Sequence, residues 1–166
     1  MGRRLDGSTP ITRNGEDVNA CFFGQSSFAT YSIASENNCV KVADDAQIEL
    51  LGPLGCGIQT GAGAVLNSLQ PAPGSSIAIF GVGSVGLSAL MAAKSSGCLK
   101  IIAVDRNPAR LEVARELGAT DVIDASTTNA QEAIVAMTGG GADYAMDTTA
   151  IPQVLRSAVV STHNMG

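Results

Sequence analysis

A chain of 166 residues, 45% hydrophobic and 15% charged, is long enough for one domain with a hydrophobic core and has the composition of a globular protein. Its formal net charge of −5 argues against nonspecific binding to nucleic acid or anionic lipid. No apolar run reaches the ~18 residues of a membrane span, and Met1-Gly2-Arg3-Arg4 lacks the apolar stretch of a secretory signal. Residues 1 to about 45 read as β-rich: Gly7, Pro10 and Asn14-Gly15 punctuate turns, Phe22 to Ile33 mixes aromatic, β-branched and small polar residues, and Val40-Lys41-Val42 alternates like a short strand.

From residue 46 the texture changes. Ile48 to Leu51 and Cys56 to Leu69 read as helices broken at Pro53. After the Pro71-Ala72-Pro73-Gly74 turn, strands and helices alternate. Ser76 to Phe80 is a buried strand, Ser84 to Ser96 a helix, and Lys100 to Val104 a second strand. Asn107 as N-cap and Pro108 at the first helical position open a helix that Gly118 ends. Asp121 to Ile123 is a third strand. Thr128 and Gln131 form a capping-box pattern for a helix running to Thr138 and stopped by Gly139. Tyr144 to Met146 is a fourth strand and Pro152 to Val160 a last helix. Short apolar strands alternating with helices predict an α/β fold, a parallel sheet covered on both faces. The four cysteines (Cys21, Cys39, Cys56, Cys98) form no C-x-x-C pair, as expected of free thiols in a reducing, cytoplasmic setting.

Gly81-Val82-Gly83-Ser84-Val85-Gly86 is a G-x-G-x-x-G run placed between a buried strand and a helix. That context makes it a dinucleotide fingerprint. The first glycine permits the tight turn, the second admits the pyrophosphate, and the third lets helix and strand pack closely. The phosphates would meet amides at the positive end of the helix. Asp105 lies 19 residues beyond Gly86, at the end of the second strand, where a carboxylate accepts from ribose hydroxyls and repels a 2′-phosphate. NAD is therefore expected over NADP, although Arg106 beside it is a residue type that serves NADP. The same rule gives a partial doubly wound (Rossmann) sheet of about four strands, ordered 3-2-1-4.

The run Gly55 to Ala64 (GCGIQTGAGA), followed by the Gly81 to Gly86 turn, Val104-Asp105-Arg106-Asn107 and Leu117-Gly118-Ala119-Thr120, resembles the zinc-dependent medium-chain alcohol dehydrogenases. The Phe22 to Tyr31 stretch and Glu49 to Cys56 are most similar to the aryl (benzyl) alcohol dehydrogenases of that family. The resemblance implies that residues 1–45 are the end of a β-rich, GroES-like catalytic domain and that residues 46–166 are the first half of an NAD-binding domain. It implies that Cys56 is one of three protein ligands to a catalytic zinc and that Thr60 packs near the nicotinamide. Arg110 would reach the adenosine ribose or phosphate, and Thr148 and Thr149 would lie beside the coenzyme.

The substrate implied is a small alcohol or aldehyde, and the full-length relatives are expected to be homo-oligomers. The family's other two zinc ligands and its structural-zinc loop have no counterpart in this sequence, so zinc is expected only in a full-length context. The chain reads as a fragment, inactive alone. His163, the only histidine, matches no family ligand, and a surface or capping role is expected. Ala150 stands where the family usually has glycine. Three other readings stay open: a non-catalytic dinucleotide-binding module, a zinc-free reductase of the same superfamily, and an adenosylmethionine-dependent transferase.

Overall fold

A computed structural model of the protein describes residues 2–20, 30–31 and 34–164. The chain divides into two compact units, Met1–Ala46 and Gln47–Gly166. In the first, Ile11–Arg13 (β1) and Glu16–Val18 (β2) pair antiparallel, with Ile11 opposite Val18. Asn14 (φ 54°) and Gly15 (φ 82°) both take the left-handed conformation that a two-residue hairpin turn requires. Val40-Lys41-Val42 is not a strand: it runs as exposed coil, Val40 88% accessible, and pairs with no described strand. Alternation alone could not make it one, because a strand needs a partner for its backbone and a core for one face. The aromatic stretch from Phe22 lies almost wholly outside the described residues.

In the second unit a single 3₁₀ turn, Ile48–Leu50, stands where a helix over Ile48 to Leu51 was expected. One helical run follows, and its winding changes along its length. Gln59–Gly63 (α1) is α-helical, while Leu54–Ile58 before it and Ala64–Leu69 after it are wound more widely, as π-helix. Gln70, left-handed at φ 47°, ends the run by donating its N–H to Val65 O (2.8 Å).

The sheet has four parallel strands: Ser76–Phe80 (β3), Lys100–Asp105 (β4), Asp121–Asp124 (β5) and Tyr144–Asp147 (β6), ordered β5-β4-β3-β6. Ile77 pairs with Ile101 on one side and Tyr144 on the other. This is the order expected from the fingerprint. The helices are Ser84–Ser95 (α2), Pro108–Leu117 (α3), Ala130–Thr138 (α4) and Pro152–Val160 (α5).

Alternation along the strands sends side chains to two cores. Ile77, Ile79, Ile101 and Ala103 pack with Leu90 and Ala93 of α2 and Leu111 and Ala114 of α3. Ala78, Phe80, Ile102 and Val104 pack with Ile134 of α4 and Ala158 of α5. Each large side chain fully buried this way contributes about 1.5–3 kcal/mol, so both faces stabilise the sheet.

α3 and α5 have the expected bounds, α2 ends one residue early at Ser95, the run expected from Cys56 starts at Leu54, and α4 opens on a different cap. Asn107 caps α3, accepting from Ala109 N–H (3.0 Å), and the left-handed Gly118 closes it. The cap of α4 is Asn129, not Thr128. Its Oδ1 accepts from Glu132 N–H (3.4 Å), and its Nδ2 donates to Glu132 Oε1 (2.8 Å). The reason lies just upstream. Asp124 Oδ1 accepts from Ser126 N–H and Oγ–H, and its main-chain oxygen accepts from Thr128 N–H, which draws Thr128 into the turn. These bonds from Ser126 hold the Asp124 carboxyl below the usual range.

At the other end of the sheet, His163 lies three residues beyond α5. Its Nε2 is 2.9 Å from Asp143 Oδ1, while Asp143 Oδ2 accepts from Ser76 N–H and Oγ–H (both 2.7 Å). Thr162 forms a lone parallel bridge to Ala142. No helix among the described residues is long and apolar enough to cross a membrane.

Candidate functional site

The turn from β3 into α2 is shaped by what its glycines exclude. Gly81 sits at φ 84°, and a Cβ there would come within 2.7 Å of Thr148 Oγ1 and 2.8 Å of Thr149 Cγ2. Conformation and space both forbid a side chain. At Gly86 the backbone is ordinary helix, but a Cβ would overlap the Gly81 carbonyl oxygen and lie 3.0 Å from its carbon. A Cβ at Gly83 would meet nothing within 4 Å, because this residue borders a cavity. Gly83 is also the N-cap of α2 and offers no side chain to the first amides of the helix.

The cavity, about 710 Å³, opens across the C-terminal ends of the strands, the usual ligand position in an open parallel sheet. Gly81, Gly83, Ser84 and Val85 form one wall. Asp105, Arg106 and Arg110 form another, and Thr148 and Thr149 a third. Of the fingerprint, Val82 and Gly86 are buried behind the wall.

Asp105 is only 10% exposed at its side chain and is heavily engaged. Its Oδ2 accepts from Val82 N–H (2.9 Å), and its Oδ1 accepts from Arg106 N–H (2.7 Å) and Asn107 N–H (2.9 Å). Arg110 approaches Oδ2 at 3.9 Å. Thr148 Oγ1 lies 2.8 Å from Gly81 O and 3.1 Å from Phe80 O. Thr149 donates N–H and Oγ–H to Asp147 Oδ1 (2.9 and 2.7 Å).

Cys56 and Thr60 do not border this cavity. They share an exposed face of the helical run, one position round from Gly57, Gly61 and Val65, which are buried. Gly57 lies against Ser84, and Gly61 against the Val85 carbonyl and the Ser88 side chain. The Cys56–Thr60 segment is thereby fixed beside the first turn of α2. No group of three or more His, Cys, Asp or Glu able to hold a metal occurs among the described residues.

The cavity also takes in Ala125, Thr128, Asn129 and Ala130 after β5, and Ile151, Gln153, Val154 and Ser157 of the β6–α5 turn and α5. Sequence reasoning missed these. The usable signal was positional, since each follows the C-terminal end of a strand that flanks β3 or β4.

Four parallel strands, a glycine-rich turn entering a helix and a cavity across the strand ends define the class: a Rossmann-type α/β domain. The sequence profile of the zinc-binding dehydrogenases matches residues 84–166, and the chain belongs to that family. It is 50% identical over 161 residues to a geraniol dehydrogenase of Castellaniella defragrans, covering 96% of this chain and 43% of that protein. Its structure matches the crystal structure of benzyl alcohol dehydrogenase from Acinetobacter calcoaceticus with a TM-score of 0.90 and 48% identity. That match covers 99% of this chain and 44% of the other. An alcohol dehydrogenase zinc-binding domain protein from Burkholderia ambifaria gives a TM-score of 0.88 at 52% identity, covering 97% and 44%. The chain thus spans less than half the length of these relatives. The family match sets aside the transferase reading.

Proposed function

We propose that this chain is the coenzyme-binding portion of an NAD-dependent, zinc-type alcohol dehydrogenase that oxidises a primary, aryl-type alcohol to its aldehyde. Residues 1–45 would then end a GroES-like catalytic domain and residues 46–166 would form the first half of the NAD-binding domain. The single observation that carries the reading is the cavity over the strand ends, walled by the Gly81–Val85 turn with Gly83 open to it. Geraniol and benzyl alcohol, in the names of two relatives, are both primary alcohols. A cytoplasmic setting accords with the free thiols Cys39, Cys56 and Cys98, and homo-oligomeric assembly of the full-length enzyme is part of the same proposal.

The residues present fit a dinucleotide. A bound nicotinamide dinucleotide supplies the hydride acceptor. Around it, the first-turn amides of α2 receive the pyrophosphate, with no Cβ at Gly83 in the way. Asp105 places negative charge where a 2′-phosphate would sit, which favours NAD over NADP. Arg106 and Arg110 would hold the adenosine side of a bound coenzyme, and Thr148 and Thr149 would line the cavity beside its other half.

Zinc does not fit on the described residues alone. Cys56 is exposed and stands in no cluster of metal-binding side chains, whereas a catalytic zinc takes three protein ligands. Within a longer chain Cys56 would offer one thiolate, with Thr60 a turn away.

Calorimetric titration of the 166-residue chain with NAD and with NADP tests the coenzyme reading. NAD should bind several-fold more tightly, and Asp105→Ala should abolish that preference. Equal affinities in the parent chain would refute it. Catalysis is tested by joining the chain to the flanking segments of a relative. Turnover of benzyl alcohol with NAD should return and depend on Cys56, and a fully active Cys56→Ala chimera would refute the zinc role.

A further inference from the structure

The glycine-rich turn is bonded from both sides by side chains that reach it from other strand ends. From the β4 side, Asp105 Oδ2 accepts from Val82 N–H at 2.9 Å, while Oδ1 of the same carboxylate is held by two amides of its own turn. With its side chain 10% exposed and three main-chain donors on it, this carboxylate is tied to protein before any ribose arrives. From the β6 side, Thr148 Oγ1 is 2.8 Å from Gly81 O. Phe80 O, the other acceptor in reach, already takes Thr148 N–H at 2.9 Å, so Gly81 O gains more from the hydroxyl proton.

The two bonds grip opposite ends of one peptide unit, the Gly81 carbonyl and the Val82 amide. The buried Val82 side chain anchors one end of that unit, but its Gly81 end has no side chain to fix it and is held at φ 84°. Left free, a glycine peptide samples many orientations, and a site that must first be ordered binds more weakly in proportion to the time it spends disordered.

We propose that Asp105 and Thr148 are positioning residues that clamp the Gly81–Val82 peptide from its two sides, so that the pyrophosphate cradle stands preformed in the free protein. The proposal rests on the dinucleotide reading and deepens it, because it gives Asp105 a task separate from recognising ribose. The two tasks make opposite predictions for an anion without ribose. If Asp105 acts on ribose alone, removing its negative charge should leave inorganic pyrophosphate binding unchanged or tighten it. If it clamps the turn, the same change should weaken binding although a like charge has been removed.

Inorganic pyrophosphate is titrated into the parent chain and into Asp105→Ala, Asp105→Asn and Thr148→Val, the last keeping shape while losing the hydroxyl. Amide hydrogen exchange is followed at Val82 and, as a reference, at Ile79 and Ile102 in the strands. Asp105→Ala should weaken pyrophosphate binding about tenfold and Thr148→Val about threefold or more. Both should speed exchange at Val82 by a similar factor with the strand amides unchanged. Pyrophosphate binding that is equal or tighter in Asp105→Ala, with unchanged Val82 exchange in the variants, would overturn the clamp. The exchange measurement needs no ligand, so a parent that binds neither pyrophosphate nor NAD would sink the dinucleotide reading while the clamp is still decided.

Discussion

Replacing Gly86 with alanine sets two opposing effects against each other, and the structure decides the winner. Alanine inside a helix is favoured over glycine by about 0.8–1.0 kcal/mol, so propensity alone predicts a more stable protein. The added Cβ, however, would overlap the Gly81 carbonyl oxygen, lie 3.0 Å from that carbonyl carbon and press on Ile79 Cγ2 at 3.4 Å. The obstacle is backbone in a turn bonded to β4 and to Thr148, so no rotamer change relieves it. Overpacking costs about 1–3 kcal/mol, and an immovable neighbour places this site at the upper end. The net loss is about 2 kcal/mol, which for a chain of this size lowers the melting temperature by about 4–8 °C.

Gly63→Ala is the paired control. The Cβ there has only Asn67 Nδ2 near it, at 3.7 Å, and the residue has helical angles of −63° and −36°. That variant should keep the propensity gain and melt at or above the parent temperature. Differential scanning calorimetry reads both. A Gly86→Ala chain melting as high as the parent, or a Gly63→Ala chain falling as far, would refute the packing argument.

Ala150 occupies the left-handed region at φ 56°, so Ala150→Gly should release about 1–2 kcal/mol of strain, offset by about 0.5–1 kcal/mol of chain entropy. A small rise in urea midpoint is expected, and a clear fall would count against strain at this turn. Asp143 is held down to about 2 by Ser76 N–H, then Ser76 Oγ–H, then His163. A carboxyl depressed in the folded state contributes stability above its unfolded value near 3.8, and that contribution is lost as pH falls toward 2. After discounting for the solvent around a side chain 43% exposed, the contribution is about 1 kcal/mol, and Asp143→Asn should flatten the acid limb of a urea-stability profile in that window. Finally, the purified 166-residue chain should carry no stoichiometric zinc by elemental analysis. One zinc per chain, lost on Cys56→Ser, would overturn that.

The sheet was legible because its inner strands, β3 and β4, are buried on both faces and the elements are bounded by glycine, proline and Asn caps, so local pattern and tertiary need coincide. Asn107-Pro108 and Gly118 mark α3 to the residue for that reason. The start of α4 was misread by one residue because Thr128 and Asn129 are both good caps, and the Asp124–Ser126 turn that selects between them is a three-dimensional choice. The wide winding on either side of Gln59–Gly63 leaves no mark in residue type. Val40 to Val42 shows the reverse error, a strand pattern with nothing described to pair with. At the site, motif residues were readable because glycine and aspartate are chemically demanding there. Thr128, Ile151 and Gln153 were not, since only chain crossing brings them to the cavity.

The order β5-β4-β3-β6 has a consequence for the chain as it is synthesised. β3, β4 and β5 emerge in the sequence in which they pair, each beside the one before. β6 must return to the far side of β3, and Asp143, which locks that side through Ser76, follows it by 67 residues. At about 5–20 residues per second, the outer edge of β3 waits about 3 to 13 s on the ribosome for its second neighbour. During that interval the backbone groups of Ser76, Ala78 and Phe80, which face the β6 side, are an open template for any other extended segment nearby. Of the two inner strands, β3 is therefore the one left half-paired for longer.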